Sequence, residues 1–183
     1  MVPRTGASDR NAGPAETAST AAEEQGAGLH PGAGFLSQNH AVSSHHKMSS
    51  SIDIGISQDQ RQQIADGLGR LLADTWVLYG KTHGFHWNVT GPMFNSLHGM
   101  FDTQYNELWD SLDEIAERIR ALGMPAPFGD STLTKLASLE EASSIPAAMD
   151  MVQQLMSDHE AVARTARSVF DIADAANDQP TAD

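Results

Sequence analysis

The chain has no cysteine among its 183 residues. That excludes a disulfide framework and any thiolate metal site, so a bound metal must use nitrogen and oxygen ligands, a donor set suited to iron, manganese or zinc. Cations are scarce as well: 11 Lys+Arg stand against 24 Asp+Glu, a net charge of −13. Such a field repels nucleic acid and attracts metal cations. No apolar run reaches the roughly 18 residues of a membrane span, and the N-terminus lacks the apolar core of a secretory signal. The expected setting is therefore the cytoplasm, with the nucleoid as an alternative and no membrane partner. No strand-like alternation competes with the helical periods, which makes the expected fold class all-α.

Residues 1–47 are rich in Ala, Gly, Ser, Thr and Pro and carry no hydrophobic period. They read as a disordered tail ahead of a folded region, residues 48–183. Arg4, Arg10 and Lys47 are balanced by Asp9, Glu16, Glu23 and Glu24, so the tail is not basic. Its His30, His40, His45 and His46 could bind a metal weakly, although an unselective spacer explains them more simply. Composition changes near Met48, a candidate translation start.

Order is expected from Ser57, which forms a capping box with Gln60. Ile64, Leu68, Leu71, Thr75, Leu78, Thr82 and Phe85 follow at helical spacing, predicting an amphipathic helix of about eight turns. Gly67, Gly69 and Gly80 weaken it, so packing must sustain it. A turn is expected from Trp87 to Gly91, with Pro92 opening a second helix. The second apolar stripe is Leu97, Phe101, Gln104, Leu108, Leu112, Ile115, Ile119 and Leu122, stopped by Gly123 and Pro125. A connection over 123–143 holds one short helical piece near Leu133–Leu139. A third long helix starts near Ser144–Pro146, with Met149, Val152, Met156, Ala163, Ala166, Val169 and Ala173 as its expected core stripe. Thr181 reads as the N-cap of a further helix. Three long helices with a long connection before the third suggest a bundle whose second and third helices run parallel.

Five metal-ligand types stand out: His86, His98, Asp102, Asp113 and Glu117. Four of them form two i,i+4 pairs on the second helix, His98/Asp102 and Asp113/Glu117, each on one face. At 1.5 Å rise per residue, Asp102 and Asp113 lie roughly 16 Å apart along the axis, whereas ligand bonds are about 2 Å. One ion cannot use both pairs of one chain. An antiparallel second copy about a two-fold axis would place one chain's His98/Asp102 beside the other's Asp113/Glu117, which suggests a site shared within a homodimer.

The stretch from Lys81 to His98, KTHGFHWNVTGPMFNSLH, followed by Phe101-Asp102, Tyr105, Leu108 and Asp113-Glu-Ile-Ala-Glu-Arg118, resembles the Dps (DNA protection during starvation) mini-ferritins. The resemblance covers roughly Ile54 to Asp183 and leaves the tail unexplained. It implies a ferritin-like four-helix bundle assembled from two-fold dimers into a hollow dodecamer with an acidic interior. It also implies oxidation of Fe(II) by hydrogen peroxide, storage of the ferric mineral and protection against oxidative stress. By this resemblance His86, His98 and Asp102 come from one subunit, and Asp113 and Glu117 from its mate. The family's fourth long helix would follow Asp183; a truncated sequence is the expected reason for its absence, ahead of a gene fragment or a partner chain filling the gap.

Other residues carry weaker expectations. His83 is a candidate auxiliary ligand, and Trp87 is expected to pack in the core, with electron transfer as an alternative. His159 reads as a core histidine. Glu107, Asp110 and Glu114 could line a mineral cavity, or simply form a solvated face. Asp171, Asp174 and Asp178 could line an iron pore on a three-fold axis. The expected function is that of an iron-storing ferroxidase with weak or absent DNA binding. The rival readings are a non-enzymatic DNA-protecting nucleoid protein and a fragment unable to assemble.

Overall fold

Ser57 opens the first helix. In the computed structural model, which describes residues 52–183, the Ser57 hydroxyl accepts from the Gln60 amide, while the Gln60 side chain accepts from the Ser57 amide. This reciprocal box satisfies two of the donors that a helix start leaves open. The helix, α1, runs Gln58–Asn88. Everything expected of residues 1–47 and Met48 lies outside the described residues.

The turn begins two residues later than expected, at Val89. Gly91 takes φ +98° there, a conformation that disfavours a side chain, and its carbonyl accepts from the Phe94 amide at 3.0 Å. Pro92 belongs to this turn, and the second helix, α2, starts beyond it as Phe94–Ala121. Its end follows the expected signal. Gly123 at φ +80° donates to the Arg120 carbonyl, and the Met124 amide donates to Ile119, the paired bonds of a Schellman motif. The short helical piece, α3, is Asp130–Leu136, three residues earlier than expected. The third long helix, α4, is Ala148–Ala175, and the four-residue α5 is Gln179–Ala182.

Residue pairing gives the directions. Arg61 bonds the Leu122 carbonyl and His86 lies against His98, so α1 and α2 are antiparallel. Gly67 abuts Val169, Asp74 bonds Thr165 and Lys81 pairs with Asp158, so α1 and α4 are antiparallel too. Hence α2 and α4 run parallel, as the long connection implied. α1 is the central helix, which explains why its buried residues are not confined to one stripe. Ala65, Leu72, Ala73 and Val77 are buried together with Ile64, Leu68 and Leu78. A Cβ on Gly67 would meet the Val169 side chain at 3.2 Å, so the glycine permits the close approach of α4.

The core stripe expected for α4 is corrected at Met149, Met156 and Ala163, all three of which are exposed. Met151 and Leu155 are buried, whereas Met149 and Met156 are 60% and 50% exposed. Phe170 is exposed as well, while Val169 and Ala173 are buried as expected. α4 thus carries two apolar stripes, and only contact with α1 selects between them. His159 is exposed, contrary to the core role expected for it.

Midway along α1, Asp74 is 1% exposed. Its carboxylate accepts from the Ser138 amide at 2.6 Å, from the Ser138 hydroxyl at 3.0 Å and from the Thr165 hydroxyl at 2.6 Å. A buried carboxylate is tolerable only when its oxygens are satisfied. Here the satisfied oxygens tie α1 to both the long connection and α4. Asp74→Ala removes these bonds to the connection and to α4 and should lower the unfolding free energy by about 1–3 kcal/mol. Urea titration of the two proteins measures this; an unchanged midpoint at unchanged slope would show that the network contributes nothing.

Candidate metal centre

The turn between α1 and α2 is short, so the last turns of α1 face the first turns of α2. This brings His86 and His98 together, with ring centroids 3.8 Å apart and planes 22° from parallel. Each ring is held by the other residue's backbone. His86 Nδ1 lies 2.9 Å from the His98 carbonyl oxygen, and His98 Nδ1 lies 2.9 Å from the His86 carbonyl oxygen. A carbonyl can only accept, so both Nδ1 atoms carry the proton. In each neutral ring the Nε2 lone pair is then free, the tautomer a metal ion requires.

Asp102 sits one turn beyond His98. Its Oδ1 is 3.9 Å from His86 Nε2, too long for a hydrogen bond. Two atoms that each bind one ion at about 2 Å are separated by about 3–4 Å, so this gap suits a shared cation. The Asp102 side chain is 53% exposed and that of His86 13%. Asp113 and Glu117 are exposed on the same side of α2, about 16 Å further along its axis. Three of the five expected ligands are thus brought close within one chain, and two are not. Among the described residues, no three His, Asp or Glu side chains of one chain form a group able to hold a metal ion.

Around this cluster lies a set of aromatic rings. The Tyr105 hydroxyl donates to Asp102 Oδ1 at 2.9 Å, and its ring stacks on His83 at 3.9 Å. The bond to Asp102 and partial burial raise the Tyr105 pKa and keep it a neutral phenol. His83 Nδ1 lies 3.2 Å from the Tyr79 hydroxyl. Burial, then the neighbouring His86, lower the His83 pKa, against a smaller opposing pull from Asp102. Trp87 is 68% exposed, which corrects the core role expected for it, and its ring lies 4.3 Å from that of His83.

Asp178 is also corrected. It is 1% exposed, pairs with Arg118 Nη2 at 2.6 Å and accepts from the Thr181 hydroxyl at 2.6 Å. A carboxylate enclosed in this way does not line a pore. It stands at the N-cap of the four-residue α5, and Thr181 lies inside that helix. Asp171, Asp174, Glu107, Asp110 and Glu114 are exposed.

Comparison with known proteins decides the family. A family model described as a ferritin-like domain matches residues 65–183. A low temperature-induced protein of Nostoc is 42% identical over 72% of this chain and 75% of its own length. The DNA protection during starvation protein of Brevibacillus brevis is 39% identical over 67% of this chain and 83% of its own. The chain belongs to the Dps mini-ferritin family. Among solved structures, Dps from Vibrio cholerae, described as one of the ferritin-like diiron-carboxylate proteins, superposes with a TM-score of 0.68 at 31% identity, covering 70% of this chain and 81% of that one. The all-α, ferritin-like fold expected from the sequence is the fold of this Dps chain.

The cluster around the candidate ligands contains a residue beyond those expected. Tyr105, three residues after Asp102, had no assigned role, although the i,i+3 spacing on one helix face was a signal. The tautomer lock left no trace in sequence, because the partners of both imidazoles are backbone carbonyls. Nitrogen-15 NMR of the metal-free protein at about pH 8, above the usual histidine range, should show protonated Nδ1 and unprotonated Nε2 for both His86 and His98. The opposite tautomer at either ring would remove the lock.

Proposed function

We propose that this chain is the subunit of a cage-forming ferroxidase. It binds Fe(II) through His86, His98 and Asp102 of one subunit and Asp113 and Glu117 of its two-fold mate, oxidises it with hydrogen peroxide, and stores the ferric product inside a hollow dodecamer. The observation that carries this reading is the pair of locked imidazoles. Two Nε2 lone pairs, with Asp102 beside them, form half of a ligand set that the same chain does not complete. Carboxylates bind both Fe(II) and the harder Fe(III), and neutral imidazole suits the ferrous ion. Two ferrous ions supply both electrons that convert one peroxide to water, so no hydroxyl radical is released.

The exposed side of α2 supports a shared site. Trp109 and Phe94 are 54% and 46% exposed on the helix that also carries Asp102, Asp113 and Glu117. Large apolar side chains beside carboxylates on one open helix face fit a subunit interface. Among the described residues no helix is long and apolar enough to cross a membrane. The net charge of −13 weighs against DNA as a direct partner, and a low-salt gel shift should show no discrete complex. Iron is thus the cargo and substrate, and peroxide the co-substrate.

Asp113→Asn combined with Glu117→Gln removes charge at nearly constant size. It should abolish most peroxide-dependent iron oxidation and leave the native mass of the assembly unchanged. Mixing these subunits with His98→Ala subunits gives a sharper check. In a shared site, each mixed dimer regains one intact ligand set and with it measurable activity. Mixed assemblies no more active than either parent would reject the assignment of ligands to two subunits.

A further inference from the structure

Phe128 stands out of the connection between α2 and α3 with 85% of its surface exposed. It is held there firmly. Pro125 and Pro127 restrict the backbone before it, and Gly129 turns behind it at φ +86°. The Trp76 indole donates to Asp130 at 3.0 Å and clips the segment onto α1. A Cβ on Gly69 would meet the Pro127 ring at 3.6 Å, so the segment crosses α1 at Gly69.

Further along α1 is a groove of about 460 Å³, lined by Trp76, Val77, Gly80, Gly84, Phe85 and Ile145 among others. Ile145 on its rim is 66% exposed. Gly67 and Gly69 make room for neighbours within the chain, but Gly80 and Gly84 do not. Apart from the helix's own backbone, a Cβ at either would meet nothing within 4 Å. Two glycines weaken α1 at this point, and no described residue uses the space they leave.

The exposed ring and the empty groove come to one level in a two-fold dimer. Arg61 against Leu122 and His86 against His98 fix the register of α1 on α2. A two-fold axis that sets Asp102 opposite the partner subunit's Asp113 fixes the register of α2 on its copy. Together these registers put Gly69, and with it Pro127 and Phe128, level with the partner subunit's Gly84. The two features also face the same way. Trp76 and Asp130 line this groove and also the neighbouring one, which is lined by Asp113, Trp109 and Phe128.

Resting on the shared site of the ferroxidase reading, we propose that Phe128 of each subunit seats in the other subunit's groove over Gly80 and Gly84. Two aromatic knobs then flank the two-fold axis and hold Asp113 of one chain at the height of Asp102 of the other. A buried phenylalanine ring removes about 150–250 Å² from water. Because the knob is already rigid, it gives up little conformational freedom on docking. The open space at the two glycines is filled only when the second copy is present.

The absence of cysteine allows a direct test. The full chain carrying both Phe128→Cys and Gly84→Cys is treated with a short bismaleimide, at a concentration where native mass spectrometry shows it assembled. A covalent dimer should appear on a denaturing gel. The two positions of one chain lie roughly 22 Å apart along α1, too far for the reagent to close within a chain. Either single variant should run as a monomer. An assembled double variant without covalent dimer, or equal cross-linking of a single variant, overturns the contact; the groove then stays empty or takes another occupant. In a second measurement, Phe128→Ala should raise the dimer dissociation constant roughly thirtyfold. Gly84→Leu should also raise it, although leucine is the better helix former and the monomer should unfold no earlier. Dissociation constants unchanged in both variants overturn the proposal, and so does an unaltered protein that remains monomeric. A protein that cross-links as expected but does not oxidise Fe(II) with peroxide rejects the ferroxidase reading and leaves the docking in place.

Discussion

Burial of α1 between α2 and α4 is the constraint on which the rest of this structure depends. A helix packed on two sides cannot confine its apolar residues to one stripe, and α1 carries buried side chains round much of its circumference. It needs a residue without a side chain where α4 comes closest, and Gly67 occupies that position. It also carries the polar groups that tie the other elements to it. Asp74 reaches Ser138 and Thr165, and Lys81 reaches Asp158 at 2.7 Å with both side chains largely buried. Buried ionic and hydrogen-bonded pairs of this kind add little net stability over apolar packing, but they penalise wrong registers strongly, since a slip would strand a charge.

The register set along α1 determines the chemistry at its end. Because α1 and α2 pair antiparallel through a short turn, His86 meets His98, and each ring bonds the other's backbone carbonyl. The backbone thus supplies the orienting groups around the two candidate ligands, and no additional side chain is needed to set the tautomers. The same pairing brings Tyr105 of α2 against His83 of α1 and continues the aromatic array away from the ligands. One helix pair thus places candidate metal ligands at one level and a cluster of aromatic rings at the next.

Much of this was legible from local signals. The capping box at Ser57, the glycine stop at Gly123, the three long helices and the parallel direction of α2 and α4 follow from short-range preferences and helical period. The i,i+4 pairing of His98 with Asp102 and of Asp113 with Glu117 was legible for the same reason, since helix geometry alone puts each pair on one face. The separation of the two pairs along the axis was equally plain, since it follows from the helical rise. What failed was the choice between equivalent faces. Met149 and Met156 make as regular a stripe as Met151 and Leu155, and nothing in α4 itself says which faces α1. Trp87 was placed in the core, His159 beside the apolar stripe expected for α4, and Asp178 in a pore with its acidic neighbours near the end of that helix. Arg118, sixty positions away in sequence, holds Asp178 in a buried pair.

The sequence by itself determined the helices and their caps, and it set the candidate ligand types in pairs on one helix face. These depend on the helical repeat and on backbone preferences that act within a few residues. Tertiary structure alone decided which stripe of α4 is buried, that Asp74 and Asp178 are enclosed, that both imidazoles keep Nε2 free, and that every tyrosine and tryptophan joins one array. Each of these depends on which atom of a distant element stands opposite, and that is set only when α1 is packed between its neighbours.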